Sequence, residues 1–204
     1  MNKINKIDSG SYGICLFSLN NFSKYLKNNK IKNKSLINFF NKNKLLSDDT
    51  LEKGIILPIN TMSFNQFYFD FFFSENKKQT YFSANNWTKI AEKGIFNLEI
   101  NENELWICSM DVLNAWDINK FTQNILGYTT KNGVEGKESF YYEAQKMNFA
   151  SGKYLVTLHG YKRIKHNEPV NDDEDYGLGF ELKKVDDFSI NSEIPENMNF
   201  EIVD

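Results

Sequence analysis

The chain has 204 residues, enough for one domain with its own hydrophobic core, and 41% hydrophobic and 15% aromatic residues exclude a disordered protein. No apolar run reaches the roughly 18 residues that span a bilayer, and residues 1–8 lack the apolar core of a signal peptide. The net charge of −3 is the sum of a basic beginning and an acidic end. We therefore expect a soluble, cytoplasmic protein with a polarised charge.

The first half of the chain is predicted to contain one strand, two helices and then three strands. Ser18 is a typical N-cap residue, and the apolar residues after it recur at the spacing of one helix face. Residues 66–73 are apolar on both faces, so this strand should lie inside a sheet. In chain order the predicted elements are a strand at 11–17, a helix from Ser18, a helix at 35–46, and strands at 54–60, 66–73 and 79–83.

The second half is predicted to add two helices and five strands. Residues 85–93 predict a short helix that ends at Gly94, where glycine relieves left-handed strain. Asp111 is predicted to cap a helix that stops near Gly127, and residues 101–103 are typical of a hairpin turn. The predicted strands are 95–100, 104–109, 139–149, 153–161 and 176–184, with loops at 131–137 and 162–175.

These elements predict an α+β fold. About ten short strands and four helices without regular alternation indicate a mainly antiparallel or mixed, sandwich-like sheet with the helices packed on one side. We predict a single domain over residues 1–204, with a basic helical segment at 18–46, a β-rich body at 47–185 and an acidic, weakly structured tail at 186–204.

Cys15 and Cys108 are the two cysteines, and both lie in apolar strand runs. We expect buried, reduced thiols, although the sequence does not exclude a disulfide. Neither has a neighbouring Cys or His at the spacing of metal ligands.

The charge is strongly asymmetric along the chain. Residues 1–46 carry +8, residues 47–167 carry −1 and residues 168–204 carry −10. Either the two ends lie together or are solvated, or one end faces a charged partner. Twenty-three Lys and 28 Asn against a single Arg are typical of an AT-rich genome, so these counts carry little functional weight.

The search for catalytic residues finds no convincing set. Residues 9–13 resemble a nucleophile elbow, but Ser9 replaces its first glycine, and the segment opens a strand. His159 is predicted to be a structural strand residue, and His166 to be exposed in a polar loop. We therefore predict no catalytic residue, no cofactor and no metal site.

Two acidic patterns near the C-terminus are weighed as metal sites. Glu181-Leu182-Lys183 has the Glu-x-Lys pattern of metal-dependent nucleases, but extended chain would place Asp175 roughly 20 Å from Glu181 unless Gly177 or Gly179 bends the strand. The run Asp172, Asp173, Glu174, Asp175 lacks the alternating ligands of a calcium loop. A solvated loop, a partner-facing patch and a metal site stay open for this run.

Nucleic-acid binding is a weak alternative for the basic beginning of the chain. Phe22, Tyr25, Phe39 and Phe40 stand among lysines, but at the spacing of a helix core. Arg, which makes bidentate contacts with phosphates and bases, is absent from this segment.

Two segments carry a resemblance to known proteins. Residues 150–161 (Ala-Ser-Gly-Lys-Tyr-Leu-Val-Thr-Leu-His-Gly-Tyr), followed by an acidic loop and Gly179-Phe180-Glu181-Leu182, resemble the closing hairpin of a group of uncharacterised bacterial proteins. Asp8-Ser9-Gly10-Ser11-Tyr12 resembles their opening segment. Such proteins are often cytoplasmic, and some resemble immunity proteins that neutralise polymorphic toxins. The resemblance implies a protein partner and no catalytic residues.

The leading hypothesis is a non-enzymatic, protein-binding protein of the immunity type. Its predicted partner-binding residues are Asp172, Asp173, Glu174 and Asp175, facing a basic toxin. If this loop instead pairs with the protein's own lysines, Lys24, Lys27 and Lys30 are its expected partners. The alternative function is a β-rich domain that binds a small ligand or a carbohydrate through exposed aromatic residues, namely Trp87, Trp106 or Trp116.

Overall fold

Ten strands in two five-stranded sheets make up most of the computed structural model, which describes residues 5–60, 65–75, 80–83, 86–131, 138–164, 176–188 and 200–202. The strands are β1 (Asn5–Asp8), β2 (Gly13–Phe17), β3 (Ile56–Asn60), β4 (Gln66–Phe73), β5 (Trp87–Ile100), β6 (Glu104–Ser109), β7 (Ile125–Lys131), β8 (Glu138–Asn148), β9 (Gly152–Arg163) and β10 (Tyr176–Val185). The helices are α1 (Leu19–Asn28), α2 (Leu36–Lys42), α3 (Lys44–Glu52) and α4 (Asp111–Asn114).

The strand order defines two sheets. Sheet I has the order β1-β4-β10-β9-β5, and sheet II has the order β3-β2-β6-β8-β7. Neighbouring strands are antiparallel, except that β10 runs parallel to β4. The predicted α+β class with mixed sheets is therefore confirmed, and so is the interior position of the strand at 66–73.

The hydrophobic core lies between the two sheets. Alternate residues of each strand point inward, as the two-residue repeat of a strand requires. Ile14 and Leu16 of β2 share one buried cluster with Val156 and Leu158 of β9. The chain is thus a sandwich of two sheets.

Helices cover the outer face of sheet II, as predicted. Phe17 of β2 and Trp106 of β6 are buried against Phe22 of α1 and Leu36 of α2. The rings of Phe17 and Phe22 pack edge to face with Trp116. The rings of Phe17 and Trp106 pack edge to face with Phe121, which follows α4 in the chain as Trp116 does. This second core explains the aromatic content of the first 46 residues: Phe22 and Tyr25 pack inward.

The helix boundaries differ from the prediction in two places. The helix predicted at 35–46 is two helices, because the backbone leaves helical geometry at Asn43, with φ −124° and ψ 67°. The helix predicted from Asp111 to Gly127 ends at Asn114, and its last residues belong to β7. A strand pairing outside the local sequence overrides helix propensity there.

The predicted secondary structure is wrong for two short segments. The helix predicted at 85–93 is wrong: Trp87–Ile100 is one long strand that pairs with β9 along its length. Gly94 has a positive φ of 48°, but it marks a register shift within the strand, not a helix end. The predicted strand at 79–83 is also wrong, since Tyr81–Ser83 is a 3-10 turn.

The turn at 101–103 joins the two sheets. Glu102 and Asn103 both have positive φ, 55° and 57°, as in the tight turns of hairpins. Yet β5 pairs with β9 in sheet I, whereas β6 pairs with β2 and β8 in sheet II. The predicted turn is confirmed, but the two strands flanking it do not form a hairpin ladder.

The tail is partly built into the body. Phe200 and Ile202 are buried in the core between the sheets, and the Phe200 amide donates to the Asn60 carbonyl. Residues 189–199 lie outside the described residues. Residues 186–188 and 200–202 form no helix or strand, yet the last of these segments packs into the core.

Candidate protein-binding surface

The acidic run predicted to bind a partner lies outside the described residues. This applies to Asp172, Asp173, Glu174 and Asp175, and also to His166. Their assignment stays a prediction, and the described residues must supply any structural candidate for an interface.

Each sheet has two edge strands, and three of the four carry protective features. Unpaired edges invite another strand, and proteins protect them with short length, proline, charge or bulges. Strand β1 is four residues long, and β3 contains Pro58. Strand β5 carries Lys89, Glu92 and Lys93 along its register shifts. These three edges are poor templates for pairing.

The edge strand β7 is the least protected of the four. Its seven residues contain no proline, and its only charge is the terminal Lys131. Its register with β8 shifts between Leu126 and Gly127, after which residues 127–131 pair regularly. Among the described residues, β7 is thus the edge best suited to receive another strand.

Aromatic side chains occupy both faces of the β7–β8 hairpin. The rings of Tyr128 and Tyr141 stack across the strands, with centroids 5.0 Å apart. Phe140 and Tyr142 meet edge to face at 4.8 Å. Tyr128 is 49% exposed and Phe140 is 40% exposed. Aromatic residues are enriched in protein interfaces, so this hairpin has the composition of one.

Gly127 allows Phe140 to lie flat on the hairpin. A Cβ atom at Gly127 would stand 2.7 Å from Cε1 of Phe140, closer than real Cβ contacts. The ring therefore occupies the space that a side chain at position 127 would need.

The base of the hairpin is fixed to sheet I. The Tyr142 amide donates to Oδ2 of Asp8 at 2.6 Å, and the Gln66 amide group donates to the Phe140 carbonyl at 3.3 Å. Burial raises the pKa of Tyr141 to about 12; a hydrogen bond with Ser109 opposes this, and the charges of Asp111 and Asp8 add to it. Tyr141 therefore stays neutral near pH 7, and the two hydrogen bonds hold β8 against sheet I.

His159 lies in a charged cluster on the outer face of sheet I, not in a cavity. Its Nε2 is 3.0 Å from Oε2 of Glu181, and its Nδ1 is 3.5 Å from Oε2 of Glu92. Lys89 pairs with Glu92 at 2.5 Å. His159 is buried, and Phe72 lies against its ring. A structural histidine on a strand face matches the prediction.

The other motifs weighed in the sequence have structural positions. Ser9 is buried, and its hydroxyl accepts from the Asn65 amide at 3.0 Å. Gly177 and Gly179 lie within the continuous ladder of β10, so neither glycine bends this strand, and Asp175 lies outside the described residues. The cysteines are free and buried, and they face each other across β2 and β6. This confirms the prediction of buried thiols.

The three tryptophans do not form one ligand platform. Trp87 and Trp106 are buried, so the expectation of exposed rings is wrong for both. Trp116 is half-buried and lines a cavity beside α1.

Comparison with protein-family models, curated proteins and solved structures finds no match to this chain. Within the described residues, no group of three or more His, Cys, Asp or Glu is placed to hold a metal ion. None of the described helices has the length and apolar character needed to cross a membrane.

The sequence analysis places Ile125 at the end of a predicted helix, and it therefore does not predict the β7–β8 hairpin. The signal available was the run Tyr128-Thr129-Thr130, which is rich in residues that favour strands.

Proposed function

We propose that this chain is a non-enzymatic, cytoplasmic protein that binds another protein through the β7–β8 hairpin, in the manner of an immunity protein that occludes a toxin. The observation that supports the proposal is the weakly protected edge of β7 beside four aromatic residues. A partner strand would pair with β7 through backbone hydrogen bonds, and the aromatic side chains would supply buried apolar area.

The charge distribution supports a basic partner. The last 37 residues carry −10, and their acidic run at 172–175 would raise the association rate with a cationic protein. The hairpin would then determine how slowly the complex dissociates, since buried apolar anchors carry most interface energy.

The test is coexpression with the protein encoded immediately upstream of the gene for this chain, which we expect to be a toxin. We expect this chain to restore growth and to form a one-to-one complex with the purified toxin. Tyr128→Lys combined with Phe140→Lys should abolish protection and weaken binding by about a hundredfold or more, because two anchors are lost. The matched control is Ile90→Lys with Ile95→Lys, which changes two exposed residues of the protected edge β5.

Three results would contradict this proposal. The first is failure of the wild type to protect or to bind. The second is equal loss in the hairpin and control variants. The third is a stable homodimer that Tyr128→Lys converts to a monomer, because the occupant of β7 would then be a second copy of this chain.

The acidic run is tested separately. Replacing Asp172, Asp173, Glu174 and Asp175 with Ser and Asn should slow association at low salt and leave folding unchanged, because exposed charges contribute little stability. A change in thermal stability with unaltered association would instead assign the run to the protein's own lysines.

A further inference from the structure

A cavity of about 460 Å³ opens beside the C-terminal end of α1. Leu26, Ile31, Trp116 and Ile118 provide its apolar wall, and the Trp116 amide donates to the Lys34 carbonyl at 2.8 Å, which joins the two segments that line it. Its volume falls within the roughly 300–1,000 Å³ typical of small-ligand sites.

Three lysines line the same cavity: Lys27, Lys30 and Lys32. In the part of the chain that the structure describes, none of them forms an ion pair with a carboxylate. Three unpaired ammonium groups beside an apolar wall favour an anion with an apolar body.

Lys30 occupies a backbone position that normally belongs to glycine. The Ile31 amide donates to Leu26 and the Lys30 amide to Lys27, which is the Schellman arrangement at a helix end. Lys30 is the left-handed residue of this arrangement, with φ of 56°. A lysine in this conformation is strained relative to glycine. Strained residues cluster at binding sites, and here the strained residue brings an ammonium group to the cavity.

Ser23 adds a polar group to the same wall. It lines the cavity, and its buried Oγ has no hydrogen-bond partner among the described residues. An unpaired buried hydroxyl is unfavourable, and rotation of the Ser23 side chain towards the cavity would bring it within reach of a ligand oxygen.

The geometry points to a binding site for a small amphiphilic monoanion, with its apolar body against Trp116 and Leu26 and its carboxylate between Lys27 and Lys30. This inference goes beyond the proposed protein-binding function and does not depend on it, because the cavity and the β7–β8 hairpin are formed by different residues. The C-terminal carbonyls of α1 disfavour an anion, so the lysines must supply the attraction.

The test is calorimetric titration of the full chain with decanoate, decan-1-ol and acetate. We expect decanoate to bind with the highest affinity, because it alone has both the tail and the charge. Equal binding of decanol, or no binding of decanoate, would overturn the inference. Sedimentation of the chain with phosphatidylglycerol vesicles, without binding of free decanoate, would also overturn it and assign the lysines to a membrane surface.

Charge variants locate the site. Lys27→Glu with Lys30→Glu should weaken decanoate binding by about tenfold or more, as expected for the loss of about 1.4 kcal/mol or more. Lys42→Glu with Lys183→Glu makes the same change in net charge away from the cavity and should leave binding unchanged. Equal effects in the two pairs would overturn the assignment.

Two further variants separate binding from folding. Lys30→Gly relieves the left-handed strain, so it should preserve or raise the melting temperature while weakening decanoate binding. Ile31→Trp should fill the cavity and block decanoate with all three lysines present. Undiminished affinity in both variants would overturn the proposal.

Discussion

The imidazole Nε2 of His159 lies 3.0 Å from Oε2 of Glu181, and both side chains are buried on the outer face of sheet I. The two residues are diagonal neighbours, because His159 of β9 is paired with Gly179 of β10 and Glu181 with Thr157. Glu92 and Lys89 of β5 lie alongside. Asp70 of β4 is on the same face, beside Tyr161. A buried pair of this kind links folding stability to pH.

We expect the free energy of unfolding to fall as pH drops from 7.5 towards 5.5. Burial, the largest influence, lowers the pKa of His159 below its usual value of 6.5, although Glu181 and Glu92 act in the opposite direction. The unfolded chain therefore binds a proton before the folded chain does, so acid favours unfolding by at most about 1.4 kcal/mol per pH unit. Urea denaturation at several pH values measures this slope.

His159→Gln should flatten the slope, because it removes the titrating group. His166→Gln is the matched control and should leave the slope unchanged, since His166 is expected to be exposed. A rise in stability towards pH 5.5 that His159→Gln abolishes would show instead that His159 is a cation paired with Glu181.

Ser18 should contribute to stability as a bridge between α1 and the turn at 101–103, not as a helix cap. Its hydroxyl does not cap α1; it donates to the Glu104 carbonyl at 2.6 Å and accepts from the Asn101 amide at 2.9 Å. Ser18→Ala should cost about 1–3 kcal/mol, because it leaves buried backbone groups unpaired. Denaturation in urea measures the loss.

Ser18→Asp distinguishes the two roles. Aspartate is a good N-cap residue, but it cannot donate to the Glu104 carbonyl. We expect it to be no more stable than Ser18→Ala. Recovery of wild-type stability by aspartate would assign Ser18 to capping.

Cys15 and Cys108 should resist thiol reagents in the native state. Both are fully buried, and burial raises the pKa of Cys108 well above its usual value, which removes the reactive thiolate. A colorimetric thiol assay should detect neither in buffer and both in guanidinium chloride. Ser139→Cys adds an exposed thiol as a control, and labelling of the native wild type at the rate of that control would contradict the burial.

Gly177 should be coupled energetically to Phe82. A Cβ atom at position 177 would lie 2.3 Å from Cε1 of Phe82, so Gly177→Ala should destabilise the fold. In a double-mutant cycle, Phe82→Ala should reduce that cost by about 0.5–3 kcal/mol. Gly179→Ala is the control, because its nearest atom belongs to Tyr161, and Phe82→Ala should not rescue it. Equal rescue of both variants would contradict a specific contact.

Regular alternation made some strands predictable. The strands β8, β9 and β10 alternate apolar and polar residues and match their predicted ranges within a few residues. Strand β5 was not predictable over 87–93, because Lys89, Glu92 and Lys93 are also good helix formers and only pairing with β9 favours the strand. The helix or strand propensity of a segment carries no information about a partner strand about sixty residues away in the chain.

The candidate protein-binding surface was even less predictable, because it depends on which strands pair with each other. That β7 is an edge follows only from the strand order of sheet II, and the burial of Trp106 follows from the packing of α1 and α2 against that sheet. The sequence predicts the basic character around the cavity, because Lys27 and Lys30 belong to the predicted basic segment 18–46. It did not predict that an apolar wall would accompany them.

The position of β10 also constrains the order of events during protein synthesis. This strand lies between β4 and β9 in sheet I, yet it follows every other strand of that sheet in the chain. All strands of sheet II have been synthesised once residue 148 has left the ribosome. Strand β4, in contrast, pairs in parallel with β10, which is synthesised later. Until then, Phe67 and Phe69 of β4 lack part of the core that buries them in the folded protein. Sheet II can therefore be complete before sheet I, and we expect a chain stalled before residue 176 to expose the apolar run 66–73, which favours aggregation.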